Sequence, residues 1–343
     1  MRLPRLYRFR SLLGLVVLAG GTSFAEPIAT PASLIPVDAR PTPEGDFAVL
    51  TYNVKGLPWP IARQRGPALR KIAARLAQLR REGRQPGVVV LQEAFRDEAK
   101  QIGAIAGYPY YVEGPYTAPA PAAADMPGRE WSLGETGPAW IDSGLVVLSD
   151  YPVRAVARAP FPAGACAGYD CLAAKGVVLV TLDVPGIGPV AVATTHLNCR
   201  KASGAPRART EAAYARQAAF LRDYLGRTRD RGVPVIVAGD FNQGQRPFRI
   251  ASLRDALRQL NGGVPVRDAL SQEAPIAGQD VTRGADAAWI RQRARDLQFS
   301  LPGTRARLVP SDIEIPFGTE PDGTMLSDHM GYTVHYRLRP LAS

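Results

Sequence analysis

The chain has 343 residues, 46% of them hydrophobic, which is enough apolar material for a full core and rules out a disordered chain. Its formal charge of +11 favours anionic partners at encounter and carries no information about the fold. Much of that charge is Arg scattered along helical stretches, so an ordinary solvated face accounts for it as well as a binding patch does.

At the N-terminus, Arg2, Arg5, Arg8 and Arg10 supply a positive region, Leu12 to Ala19 an apolar run and Ser23-Phe24-Ala25 a small-residue cleavage site. Residues 1–25 therefore read as a signal peptide, and the mature chain is expected to begin near Glu26. The apolar run is well short of the roughly 20 residues of a spanning helix, which argues against an uncleaved anchor. Cleavage takes the formal charge from +11 to +7. Export, to the periplasm or the medium, places Cys166, Cys171 and Cys199 in an oxidising compartment, where one disulfide and one remaining thiol are expected. Cys166 with Cys171 is the first choice because a Gly-containing loop joins them, and the other pairings stay open.

Residues 26–45, rich in Pro, Ala and Thr, form an extended lead-in, and one domain is expected over 46–340. Short Val- and Ile-rich runs at 47–52, 88–91, 145–148, 177–182, 190–194 and 233–238 read as buried strands. Leu69, Ile72, Leu76 and Leu79, and later Tyr214, Ala218, Leu221 and Leu225, fall at helical spacing. Many successive strands lack a helix between them. The fold class is therefore α/β, with two mixed sheets packed face to face and helices outside, and not a doubly wound parallel sheet. Residues 115–138, with Trp131 and nearby Trp140, look like a long surface insertion, and 271–324 reads as a second irregular region.

Polar residues recur directly after the apolar strands: Asn53, then Glu93, then His196 with Asn198, then Asp240 with Asn242. Strands that end in carboxylates, carboxamides and an imidazole bring unlike polar groups to one rim, where burial is costly unless they are paired, solvated or bound to an ion. Of the three histidines, His196 and His329 sit in such clusters, whereas His335 lies in the strand-like stretch 332–336 and is expected to face outward.

The set Thr51-Tyr52-Asn53-Val54, Leu91-Gln92-Glu93, Ser143-Gly144-Leu145, Thr195-His196-Leu197-Asn198, Gly239-Asp240-Phe241-Asn242 and Ser327-Asp328-His329 resembles, in order, the motif series of the endonuclease/exonuclease/phosphatase (deoxyribonuclease I-like) superfamily. The resemblance implies a four-layered α/β sandwich of two mixed, mainly antiparallel sheets flanked by helices. It also implies a metal-dependent phosphoric ester hydrolase. Glu93 would ligate Mg²⁺, or another divalent cation such as Mn²⁺, with Asn53 beside it on the metal or a phosphate oxygen. His329 would be the general base, Asp240 and Asn242 would position the nucleophile and the phosphate, and His196 would serve the phosphate or leaving-group side. Asp296, which begins the short apolar stretch Asp296-Leu297-Gln298-Phe299, is the best match for the carboxylate that orients the base, and Asp328 lies beside His329 in sequence.

For the substrate, the segment Asp170 to Val177 resembles the Ala-x-Lys-Gly-Val segment of the sphingomyelinase C branch, which would make Lys175, with Asn198, a substrate-binding residue. No counterpart of that branch's exposed aromatic hairpin is evident, and the Trp131 to Trp140 loop reads either as a substitute that touches lipid or as a packing anchor. The expected partner is thus a phosphodiester, phospholipid or nucleic acid, with peripheral membrane contact and no obligate protein partner. An exported nuclease, a phosphoinositide phosphatase and a catalytically inactive binding module of the same fold are the other readings.

Overall fold

The computed structural model describes residues 46–59, 61–118, 128–271 and 284–341; the segments read as signal peptide and lead-in lie outside them. The first half of the chain forms β1 (Asp46–Asn53), α1 (Arg65–Arg81), β2 (Val88–Gln92), α2 (Asp97–Lys100), α3 (Ile102–Ala106), β3 (Tyr110–Glu113), β4 (Val146–Ser149), β5 (Val153–Pro160) and β6 (Gly176–Val184). The second half forms β7 (Gly188–His196), α4 (Arg207–Thr228), β8 (Val235–Asp240), α5 (Pro247–Leu260), α6 (Ala285–Arg293), β9 (Asp296–Leu301), β10 (Ala306–Phe317) and β11 (Gly331–Pro340). Two sheets result, in the orders β10-β11-β1-β2-β4-β3 and β5-β6-β7-β8-β9.

Strand periodicity explains the layers. Phe47 and Val49 on β1 and Val88 and Val90 on β2 point inward against Val178, Val180, Val192 and Ile236 of the other sheet. The alternate residues Leu50, Tyr52, Val89 and Leu91 point outward, where Leu69, Ile72 and Leu76 of α1 cover them. On the far side Ala191, Val235 and Val237 meet Tyr214, Leu221 and Leu225 of α4 and Leu253 and Leu257 of α5. Both faces of each central strand are buried, which is why these strands read as continuous apolar runs. The four-layered sandwich is the one expected.

The region 271–324 is a correction. It holds α6, β9 and β10, with residues 272–283 outside the described set. Pro310 and Pro316 interrupt the strand pattern of β10, and the ladder to β11 shifts register at 310/312 and 314/317. Such breaks are tolerated because β10 is an edge strand. In the described part of the insertion, Trp131–Leu133 makes a 3₁₀ turn, and buried Glu135 accepts hydrogen bonds from the Gly168 and Glu130 amides and pairs with Arg209 at 2.7 Å. His335 lies on β11 with Glu314 at 3.7 Å. The Cys166–Cys171 disulfide is formed, which leaves Cys199 as the free cysteine among the described residues.

Candidate active site

Topology delivers the polar residues to one rim. β1 and β2 pair in parallel, as do β7 and β8, so Asn53, Glu93, His196 and Asp240 emerge at matching strand ends. β9 runs antiparallel to β8 with Asp296 opposite Asp240, and His329 precedes β11, which runs antiparallel to β1. Face-to-face packing then closes the gap between sheets: the Asn53 amide Nδ2 donates to Glu93 Oε1 and to Asp240 Oδ2, each at 3.0 Å.

The rim is held by backbone conformation as well as by contacts. Lys55, Glu93, Asn242 and Ala294 all adopt positive φ, between 44° and 55°, and they account for four of the five non-glycine residues that do so among those described. Each costs about 1–2 kcal/mol and persists because its surroundings over-determine it. For Glu93 that support comes from the Ser143-Gly144 motif: the Ala94 amide donates to the Gly144 carbonyl at 2.9 Å, and Gly144, at φ 63°, packs so close to the Phe95 ring that a Cβ would collide with it. Ser327 Oγ donates to the Asn53 carbonyl at 2.7 Å and so ties the His329 loop to β1. Gly239 lies against β7, where a Cβ would collide with the Thr195 carbonyl oxygen.

Two arginines staple the loops. Arg65 donates to the carbonyls of Lys55, Val54 and Leu326 at 2.7–2.9 Å, joining the turn after β1 to the segment before His329. Arg249, fully buried over the Tyr214 ring, donates to the carbonyls of Asn198 at 2.7 Å and Asn242 at 2.9 Å, joining the turns after β7 and β8.

The electrostatics follow from burial and pairing. His329 Nδ1 lies 2.7 Å from Asp296 Oδ2, and its Nε2 lies 3.8 Å from Asp240 Oδ2. Burial works against a charged imidazole, but the Asp296 and Asp240 carboxylates outweigh it and raise His329 to about 9. Asp240 is held down to about 2, because His329 and His196 outweigh its burial. Glu93 is pushed up by burial, with the Asn53 hydrogen bond opposing. His196 is the opposite of His329: burial, then the charge of Lys175 at 3.2 Å from Nε2, lower it to about 4 and keep it neutral. Lys175 stays charged because Asp170, at 2.8 Å, outweighs its burial.

Glu93, His196 and Asp240 each offer a ligand atom within 4.8 Å of the others. Two carboxylates beside one amide on a buried floor fit a hard divalent cation, which would offset their mutual repulsion. A second set, Asp240, Asp296 and His329, has the same spacing, but Asp296 and His329 are already bonded to each other. Asn53 turns its nitrogen to the carboxylates, and its Oδ1 accepts the Lys55 amide, so it positions the acids in this structure.

Six of the residues singled out from the sequence therefore converge: Asn53, Glu93, His196, Asp240, Asp296 and His329. Asn242 joins them through its backbone, whose N–H donates to Asp240 Oδ1 at 2.9 Å, while its Nδ2 donates to the Leu197 carbonyl. Three expectations are corrected. Asn198 is fully buried, its Oδ1 accepting the Ala167 amide and its Nδ2 bonding the Cys199 carbonyl, so it braces loops and does not face substrate. Asp328 is half exposed and paired with Lys55 at 3.5 Å, outside the converging set, although its charge adds to the rise of His329. Lys175 is buried against Asp170 and His196, and its charge is felt by both His196 and Glu93. The exposed Trp131 and Trp140, at 84% and 78%, are not packing anchors. Sequence reasoning missed Asp170, Arg65 and Arg249; the first adjoins a motif segment, but nothing local distinguishes the last two from surface arginines.

The sequence profile of the Endonuclease/Exonuclease/phosphatase family matches residues 50–329. Sphingomyelinases of Mycobacterium bovis and Mycobacterium tuberculosis are 27% identical over 221 residues, which is 64% of this chain and 38% of theirs, so the chain spans well under half the length of these relatives. Among solved structures, a doubly substituted mutant of beta toxin from Staphylococcus aureus with bound magnesium ions superposes with a TM-score of 0.57 at 18% identity, covering 85% of this chain and 99% of that one. Sphingomyelinase C from Streptomyces griseocarneus gives 0.54 at 21% identity, over 84% and 99% of the two chains. With the motif series, the sandwich and the convergent rim in agreement, the chain belongs to the endonuclease/exonuclease/phosphatase family.

Proposed function

We propose that this protein is an exported, Mg²⁺-dependent phosphodiesterase acting on a choline-phosphate lipid of the sphingomyelin type. The observation that carries the reading is the Asp296–His329 pair beside the Glu93 and Asp240 carboxylates, which is a base oriented over a cation-binding floor. Asp296 holds the Nδ1 proton, so Nε2 is the atom that accepts a proton from water. As that proton moves to Nε2, the water oxygen bonds to phosphorus and the bond to the leaving alcohol breaks. Asp240 and the Asn242 turn orient the water and the phosphate. Neutral His196, with the charge of Lys175 behind it, is assigned to the leaving-group side. Held by Glu93 and Asp240, a divalent cation would polarise the phosphate, offset developing charge and weaken the hold of Asp240 on the His329 proton.

Export is supported by the n-region, apolar run and cleavage site of residues 1–25. The lipid reading is supported by the likeness to sphingomyelinases and by exposed apolar side chains near the rim. Trp131, Trp140 and Tyr169 border the turn that carries Asp170, and Trp59 and Ile61 protrude after β1. Aromatic side chains so placed suit a membrane interface.

The test is release of phosphocholine from sphingomyelin vesicles, set against cleavage of plasmid DNA, with Mg²⁺ and with chelator. Chelator-sensitive phosphocholine release that is lost in His329→Ala supports the reading. DNA cleavage alone would move the substrate to nucleic acid, and no metal-dependent turnover on either would leave a binding module.

A further inference from the structure

His329 Nε2 faces a second group besides Asp240. Arg295 Nη1 lies 3.5 Å away, so a guanidinium stands beside the ring nitrogen that Asp296 leaves open. The other rim cations described above are matched: Lys55 by Asp328, Lys175 by Asp170, and Arg65 and Arg249 by backbone carbonyls. Arg295 makes no carboxylate ion pair among the described residues, although Asp296 follows it directly.

Its place is fixed by the main chain. Ala294, at φ 44°, turns the chain from α6 into β9; the Arg295 carbonyl accepts the Phe241 amide at 2.8 Å, and the Ala294 carbonyl accepts the Gly244 amide at 2.9 Å. Arg295 is thereby bound to the loop that carries Asp240 while its side chain stays partly exposed. A planar cation with unused N–H donors, anchored beside the base, matches the geometry of a phosphate oxyanion.

We propose that Arg295 is a phosphate-binding residue of this site, whose guanidinium, set beside Nε2 of His329 and without a carboxylate partner, donates to a nonbridging phosphate oxygen when a phosphate ester enters. This rests on the phosphodiesterase reading, since the anion it binds is that reading's substrate.

The experiment measures binding of inorganic phosphate to the full protein with Mg²⁺ by calorimetry, for wild type, Arg295→Gln and Arg295→Lys, alongside kcat and KM for bis(p-nitrophenyl) phosphate. Arg295→Gln is expected to weaken phosphate binding and kcat/KM together by about 10- to 100-fold, the range for one charge-assisted hydrogen bond, with KM carrying part of the loss and the half-saturating Mg²⁺ concentration unchanged. Arg295→Lys should recover part of the phosphate affinity, and it remains informative if the Gln variant folds poorly. Unchanged phosphate affinity in both variants overturns the proposal, including the case where kcat falls, because that pattern means Arg295 acts on His329 alone. Absence of turnover in wild type would remove the phosphodiesterase reading, and the calorimetric comparison would still decide whether Arg295 holds phosphate.

Discussion

Asp296 Oδ2 lies 2.7 Å from His329 Nδ1, which commits that nitrogen as a donor and leaves Nε2 facing Asp240 and Arg295. The pair joins β9 of one sheet to the loop before β11 of the other, so it exists only because the two sheets are packed. Asp296→Asn leaves the shape but removes the charge. Turnover of a soluble phosphodiester should fall by about 10²–10⁴-fold, the usual contribution of an acid–base group. Stopped assays with Mg²⁺ in excess would measure it, and near-normal turnover would contradict the role of the pair.

The same pairing sets a pH dependence. In cation-free protein the His329 value is raised from 6.5 to about 9, so the stabilisation it brings is complete below pH 6.5 and is lost as pH rises through 9. The melting-temperature advantage of chelated wild type over His329→Gln should therefore shrink across that interval. Ring titration followed by NMR should centre near 9 in wild type and move down in Asp296→Asn; a wild-type ring titrating at its ordinary value would contradict the pairing.

Glu93 and Asp240 share one Asn53 amide, so loss of either charge should act on cation affinity before it acts on the fold. Glu93→Gln should raise the half-saturating Mg²⁺ concentration by at least about 10-fold, the lower end of what loss of even an outer-sphere partner costs. Activity titrations against Mg²⁺ and Mn²⁺ would show it, and an unchanged midpoint would remove Glu93 from the cation site.

Arg249 predicts a stability effect. Arg249→Met leaves buried carbonyls of Asn198 and Asn242 without donors, at about 1–3 kcal/mol each, so chemical denaturation should show a large loss. Lys should not rescue it, because a single ammonium cannot reproduce the fork across two loops. A variant as stable as wild type would mean the loops hold themselves.

Trp131 and Trp140 separate membrane contact from chemistry. Their double replacement by Ser should change stability by no more than about 0.5 kcal/mol, as for exposed sites in general. Turnover of a soluble phosphodiester should be kept, while sedimentation with sphingomyelin vesicles is reduced. Equal vesicle binding would place the lipid contact elsewhere, with the Trp59 and Ile61 loop next to be tested.

The layers and most of the rim are legible in the order of residues alone. Period-2 and helical patterns are local consequences of which faces are buried, and Asn53, Glu93, His196 and Asp240 could be located because each directly follows an apolar run. The Asp296 partner of His329 was legible only through its resemblance to a motif, since 33 residues separate the two and only the packing of the sheets brings them together. Folding in three dimensions settled that Asn198 braces loops, that Asp328 turns to Lys55, that Lys175 is buried against Asp170 and His196, and that Arg65 and Arg249 hold the turns. Periodicity reports which side of an element is buried. The direction of a polar side chain within a loop depends on donors and acceptors supplied by distant segments, and no local pattern contains them.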